Sequence, residues 1–262
     1  MSSTLKPAAA WPFPSTSKTE ADAAPEAPAV SQVQPDIFVT VPEATFPSGH
    51  VEPAFLVAKF FASRGATGLL TSTADGVPVT RITYHEARKA CADAGFGLLT
   101  LNQSHAIALN IAGVAANWTS GQVGEGRLIQ GIRKGRVSGA QAGSYIPPDD
   151  ERRGFLLSNG EVIIDAAGNL YAWLLDDVQG GADGVVAREF AEGSPAVTVP
   201  YEEGTHGVGY FPEAGDDWSG FALVRGGCWC SYDYAGVFYL SLVSPGYGGD
   251  SVGVRCTKPI GV

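Results

Sequence analysis

The side chains able to do chemistry are few and scattered. The four cysteines are Cys91, Cys228, Cys230 and Cys256. Soft thiolates such as those of Cys228-Trp229-Cys230 select copper or iron, so a metal-using oxidoreductase is one reading. Two sulfurs alone do not make a four-ligand zinc site, and four cysteines are too few for a disulfide-stapled scaffold. His50, His85, His105 and His206 stand twenty or more residues apart, which gives no local ligand spacing. Glu202-Glu203 and Asp216-Asp217 have the side chains of glycosidase carboxylates or calcium ligands, but solvated loop charge is the simpler reading.

Charge narrows the partners. Lys and Arg number 17 against 27 Asp and Glu, for a net charge of −10. Such a chain is repelled by phosphate backbones and by anionic membrane surfaces. No apolar run reaches the ~18 residues of a membrane-spanning helix. Met1–Pro14 lacks the apolar core of a secretory signal. These features predict cytoplasmic synthesis, with any surface role reached by display on a cell or a phage particle.

The elements that must position these residues begin late. Residues 1–50 hold eight Pro and nine Ala, and no apolar period appears before about Ile37. They read as an extended or disordered tail ahead of a domain over 51–262. Phe55–Phe61 reads as a strand and Pro78–Ile82 as a short extended piece. Thr83-Tyr84-His85-Glu86 is a capping box that opens a helix ending at Gly95, with Ala87, Ala90, Cys91 and Ala94 on its apolar face. A second helix starts at Asn102 or Ser104 and runs to about Trp118. Beyond it glycines recur, and the short extended runs are 160–164, 170–175, 222–225 and 251–255. Gly and Pro, 34 and 17 residues, suit a turn-rich domain. Two helices followed by hairpins and long loops make an α+β fold.

Four pieces occur in a telling order: Gly95-Phe-Gly-Leu-Leu-Thr100, Gly168-Asn-Leu-Tyr-Ala-Trp173, Arg225-Gly-Gly-Cys-Trp229 and Val252-Gly-Val-Arg255. The order resembles the formylglycine-generating-enzyme-like branch of the C-type lectin fold, over roughly residues 51–260. The resemblance implies two helices, short antiparallel sheets and long loops, with Trp173, Arg225, Trp229 and Arg255 as scaffold. It does not bring the branch's chemistry. The first catalytic cysteine would fall at the fourth position after Gly227, which is Ser231, and the second near Gly236. The three-histidine iron spacing of the sulfoxide-synthesis branch is missing, and Ala172 replaces the acid that resembles a calcium ligand. No cofactor, metal site or catalytic residue is therefore expected. The resemblance also places the first helix beside the last strand. Cys91 and Cys256 are then expected to face each other in the core, bonded or reduced; a bond would close a loop of about 165 residues, worth ~4–5 kcal/mol. Cys228 and Cys230, two apart on an extended chain, are expected to point to opposite faces.

Between the last two motifs, residues 230–251 hold four Tyr with Ser, Gly and Asp, and no Lys, Arg, Glu, Gln, Met or Trp. That is the composition of an antibody paratope: rigid aromatic anchors among adaptable polar groups. The frame R-G-G-x-W, A-G-V-F-x-L-x-L, P, V-G-x-R resembles the variable proteins of diversity-generating retroelements, in which adenines of this segment, often in asparagine codons, are mutagenised. Every residue from Cys230 to Ser251 is reachable from an asparagine codon by adenine changes. With the variable region at 228–256, the positions expected to contact ligand are Cys230, Tyr232, Asp233, Tyr234, Tyr239, Ser241, Val243, Tyr247, Gly248 and Asp250. The leading expectation is a non-enzymatic protein that binds a protein or cell-surface ligand, with no nucleic acid and no membrane insertion. The alternatives are the oxidoreductase at Cys228 and Cys230 and a structural phage or cell-surface module.

Overall fold

The computed structural model describes residues 36–260. The Pro/Ala-rich stretch over 1–35 lies outside the described residues. The fold begins earlier than composition suggests: β1 (Phe38–Val41) pairs antiparallel with β4 (Phe55–Ala58), Val41 opposite Phe55. Residues 36–50 therefore belong to the folded domain and not to a tail. Val39 and Val41 are buried, and a four-residue alternating strand is too short for its period to stand out among prolines.

Short hairpins follow, β2 (Ala44–Thr45) with β3 (Val51–Glu52) and β5 (Ser63–Arg64) with β6 (Leu70–Thr71). The piece over 78–82 makes only a bridge from Pro78 to Ser63, not a strand. Helix α1 (Tyr84–Asp93) starts at the expected capping box: the Thr83 side chain accepts from Glu86 N–H while the Glu86 carboxylate accepts from Thr83 N–H. Gly95 closes the helix at φ +74°, a conformation that costs glycine little. After β7 (Gly97–Leu98), α2 (Leu101–Ala112) opens on a second capping box, Thr100 with Gln103. The start at Asn102 or Ser104 and the end at Trp118 are both corrected. Gly113 stops the helix, and Ala115–Asn117 form a separate 3-10 turn.

The rest of the chain supplies β8 (Gly154–Leu156) and β9 (Val162–Ile164) as a hairpin, then β10 (Tyr171–Leu174), β11 (Ala222–Arg225), β12 (Leu240–Val243), β13 (Val252–Gly253) and β14 (Cys256–Pro259). Two four-stranded sheets result, in the orders β1-β4-β14-β7 and β12-β11-β10-β13. All their pairs are antiparallel except β10 with β13. Two helices, short sheets and long loops match the α+β fold expected.

Helix α1 joins the two sheets. Ala87 and Cys91 bury against Ala58, Leu98 and Cys256 of the first sheet and Trp173, Val224 and Val252 of the second. The sulfurs of Cys91 and Cys256 lie 3.7 Å apart in this core, reduced and facing each other as expected. Contact with Cys91 and burial raise the Cys256 thiol pKa, so Cys256 packs as a small apolar group. Trp173 is fully buried, and its indole N–H donates to Ile82 C=O at 3.0 Å. Helix α2 centres the larger core, where Leu101, Ile111, Phe155, Ile163, Leu223 and Phe238 meet. The 47-residue path from β10 to β11 has no strand, but Val186, Phe190, Ala196 and Val208 anchor it there.

A polar hub fixes the turn between β9 and β10. Arg153 forks onto Asp165 at 2.7 and 2.6 Å, both buried. Asn169, at φ +65°, donates to Asp165 and exchanges two bonds with the Gln141 backbone. Arg255 donates to the carbonyls of Ala58, Lys59, Ile164 and Asp165. Arg225, the other scaffold arginine, is bonded among the described residues only to Ser104 Oγ, at 3.2 Å. Gly168 is at φ +72°, where an added Cβ would come within 2.5 Å of Ile132 C=O. Gly168→Ala is therefore expected to cost about 1–3 kcal/mol or more, read as a lower urea midpoint.

Candidate ligand-binding face

Residues 228–251 wind along one end of the second sheet and alternate between two fates. Ala235, Val237, Phe238 and Leu240 are buried in the core. The ten positions picked out from the sequence are instead all exposed or half-buried. Cys230, Tyr232, Asp233, Tyr234, Tyr247, Gly248 and Asp250 are exposed, and Tyr239, Ser241 and Val243 are half-buried. The split follows local geometry. Gly226 and Gly227 leave β11 at φ +93° and +89°, and a Cβ on Gly227 would press within 2.7 Å of Ala235. Such close backbone contact pins the frame while its other side chains turn outward.

Four of the ten positions share one groove. Tyr239, Ser241, Val243 and Tyr247 line a cavity of about 250 Å³ with Tyr171 and Ser251. Ser241 sits opposite Val224 in the β11–β12 ladder and Tyr171 opposite Val252 in the β10–β13 ladder, so the groove floor is one face of the sheet. The Tyr171 and Tyr239 rings lie 5.6 Å apart at 35°. Tyr171 OH also meets Ser231 Oγ at 2.9 Å, and burial raises its phenol pKa. The groove thus presents neutral aromatic faces and hydroxyls with no charged side chain. It is suited to burying an apolar group with a hydrogen-bonding edge.

A second cluster lies on the 3-10 turn Tyr232–Tyr234. The Tyr234 ring packs 4.7 Å from Tyr210, and Tyr232 is held at φ +50° with its N–H on Arg133 C=O. Asp233 lies 3.2 Å from Arg133 and 3.4 Å from Arg127. Asp233 and Arg127 are exposed and Arg133 is half-buried, so the pairs orient the turn more than they stabilise it. Tyr171, Tyr210, Arg127, Arg133 and Ser251 are additions to the sequence-derived set. All but Ser251 come from distant segments, and only the fold brings them here.

Trp229 is half-buried at the edge of this region, with its backbone N–H on Asn169 C=O, so it serves partly as scaffold. One expectation is overturned. Cys228 and Cys230 do not point apart: their sulfurs approach to 2.8 Å. The two-residue alternation applies to an extended strand, whereas Cys228–Ser231 is a turn closed by Ser231 N–H on Cys228 C=O. The acidic doublets serve their own loops, Glu203 accepting from Phe211 N–H, Asp216 from Glu213 N–H and Asp217 from Ser219. Among the described residues no group of three His, Cys, Asp or Glu is placed to hold a metal ion, and no helix is long and apolar enough to cross a membrane.

No family model and no curated protein matches the chain. Several solved structures are similar to it. The Major Tropism Determinant M1 Variant is 14% identical, covers 78% of this chain and 50% of its own, and gives a TM-score of 0.43. The chain spans about half the length of that protein. Treponema denticola variable protein 1 is 14% identical over 86% of this chain and 93% of its own, with a TM-score of 0.43. CarF is 16% identical over 86% and 99%, with a TM-score of 0.46. At these values no residue's role passes from those proteins to this one.

Proposed function

We propose that this chain is a ligand-binding variable protein of a diversity-generating retroelement, built on a C-type-lectin-type domain over about 36–260. Its binding surface is formed by Cys230, Tyr232, Asp233, Tyr234, Tyr239, Ser241, Val243, Tyr247, Gly248 and Asp250, with Tyr171 as a fixed neighbour. The observation that carries the reading is the segregation within one segment: all ten positions reach solvent, while the intervening Ala235, Val237, Phe238 and Leu240 are buried. A surface that varies without unfolding its scaffold needs that arrangement. Tyrosines there bury large area at low entropic cost, and the hydroxyl and carboxylate groups adapt at the rim. The ligand class is a protein or cell-surface molecule, engaged without catalysis and displayed on a phage particle or cell surface.

The direct test is sequencing of the coding segment and its surroundings. A near-copy of the 230–251 coding stretch beside a reverse-transcriptase gene, with differences confined to adenines of the copy, is the expected result. A segment without such a copy, or with changes spread equally over the buried frame codons, would overturn the reading. Stability gives a second check. Tyr232→Ser, Tyr234→Ser and Tyr247→Ser are each expected to stay within about 0.5 kcal/mol of the parent, as surface changes do. Phe238→Ala in the frame is expected to cost about 3–5 kcal/mol in the same urea titration.

A further inference from the structure

The turn that overturned one expectation carries a chemistry of its own. Cys230 is exposed and Cys228 is buried beneath it, with 2.8 Å between the sulfurs. Three contacts hold the pair in register. Cys228 N–H donates to Ser231 Oγ at 2.8 Å, Ser231 Oγ lies 3.3 Å from Cys228 Sγ, and Cys230 N–H points to Cys228 Sγ at 3.4 Å. Ser231 is itself fixed by Tyr171 OH. One thiol is therefore open to solvent and the other is poised on its sulfur, the arrangement of an attacking and a resolving cysteine. The other thiol pair, Cys91 and Cys256, is buried on both sides and out of a reagent's reach.

We propose that Cys228 and Cys230 are a redox modification site, closing to an intramolecular disulfide by exchange with a low-molecular-weight disulfide such as oxidised glutathione. Cys230 loses its proton to solvent, and its thiolate attacks one sulfur of the small disulfide. A Cys230 mixed disulfide forms, and one small thiolate leaves and takes up a proton. Cys228 then gives up its proton and attacks the Cys230 sulfur, which expels the second small thiolate. Two protein thiols are oxidised to one disulfide, one small disulfide is reduced to two thiols, and both protons end on those thiols. The partly buried side of Cys230, and then contact with Cys228, pushes its pKa up to about 12. Little thiolate is present at neutral pH, so the exchange quickens as pH rises. The proposal does not depend on Cys230 contacting a ligand.

The experiment is thiol mapping on the folded full chain. The protein is equilibrated with oxidised and reduced glutathione at several ratios, acid-quenched, unfolded, alkylated and digested with trypsin. No Lys or Arg lies between Arg225 and Arg255, so one peptide, 226–255, contains Cys228 and Cys230 and no other cysteine. Under oxidising ratios it is expected to lose two hydrogens and take no alkyl label, while Cys91 and Cys256 remain labelled. Cys228→Ser is expected to stop at a glutathione adduct on Cys230, and Cys230→Ser to yield neither adduct nor bond. Melting curves of both variants confirm that each is folded before mapping. Two labelled thiols in peptide 226–255 at every ratio, or a lasting glutathione adduct on wild-type Cys230, would overturn the proposal.

Discussion

Asp165→Ala is expected to remove roughly 3–5 kcal/mol of folding stability, the usual cost of leaving one member of a buried ion pair without its partner. Asp165 receives both arms of the Arg153 fork and the Asn169 amide, and its own carbonyl accepts from Arg255. Alanine would strand a buried guanidinium whose remaining contacts, the carbonyls of Gln141, Ala142 and Tyr145, carry no net charge. It would also have to adopt φ +58°, which a short polar side chain tolerates better than a methyl group. Asp165→Asn keeps the backbone preference while removing the charge, so it separates the two costs and is expected to fall between wild type and Ala. Replacing both partners, Arg153→Met with Asp165→Leu, is expected to recover part of the loss, because no unpaired charge is left. Urea unfolding of the four proteins decides it. A loss under about 1 kcal/mol for Asp165→Ala would mean that the hub does not hold the turn from β9 into β10.

This hub also shows where the sequence speaks and where it is silent. Gly168-Asn169 announces a turn because its residue types are those of left-handed backbone. Nothing near Asp165 announces Arg153, twelve residues away, because the pairing is made by the hairpin between them. The helices follow the same logic. Thr83-x-x-Glu86 marks the first start. Thr100-x-x-Gln103 carries an equal signature at the second, yet Leu98-Leu99-Thr100-Leu101 reads locally as an extended run and hides it. Strands β12 and β14 lack a legible period because they are short, and β14 ends on a proline. The ten face positions follow from the resemblance of the frame between Arg225 and Arg255 to a known family. Tyr171, Tyr210, Arg127 and Arg133 do not, since they reach the face from other loops. The Cys228–Cys230 contact was missed for a related reason: parity along an extended chain predicts opposite faces, and a turn cancels parity.

His105→Phe is expected to make the protein markedly less sensitive to acid. His105 is fully buried on α2, edge-on to Phe46 with the rings 4.9 Å apart and 5.9 Å from Phe238. Neither ring nitrogen has a partner among the described residues. Burial, and then the nearby Arg225 charge, lowers its pKa from 6.5 to about 3. The folded state therefore keeps the ring neutral at pH values where the unfolded chain protonates it. Stability from this residue is fully present above pH 6.5, falls as pH drops from 6.5 toward 3, and is level below that. The full loss has an upper bound of roughly 5 kcal/mol, at ~1.4 kcal/mol per pH unit across the window. Phenylalanine is apolar like the two phenylalanine rings that wall the site, and it takes up no proton. The carboxylates titrate alike in both proteins, so the difference between them isolates the histidine. Urea midpoints measured from pH 7.5 down to 3.5 should show the variant gaining on wild type at each step below 6.5. A difference that stays constant over that range would mean that His105 protonates as readily in the fold as in the unfolded chain.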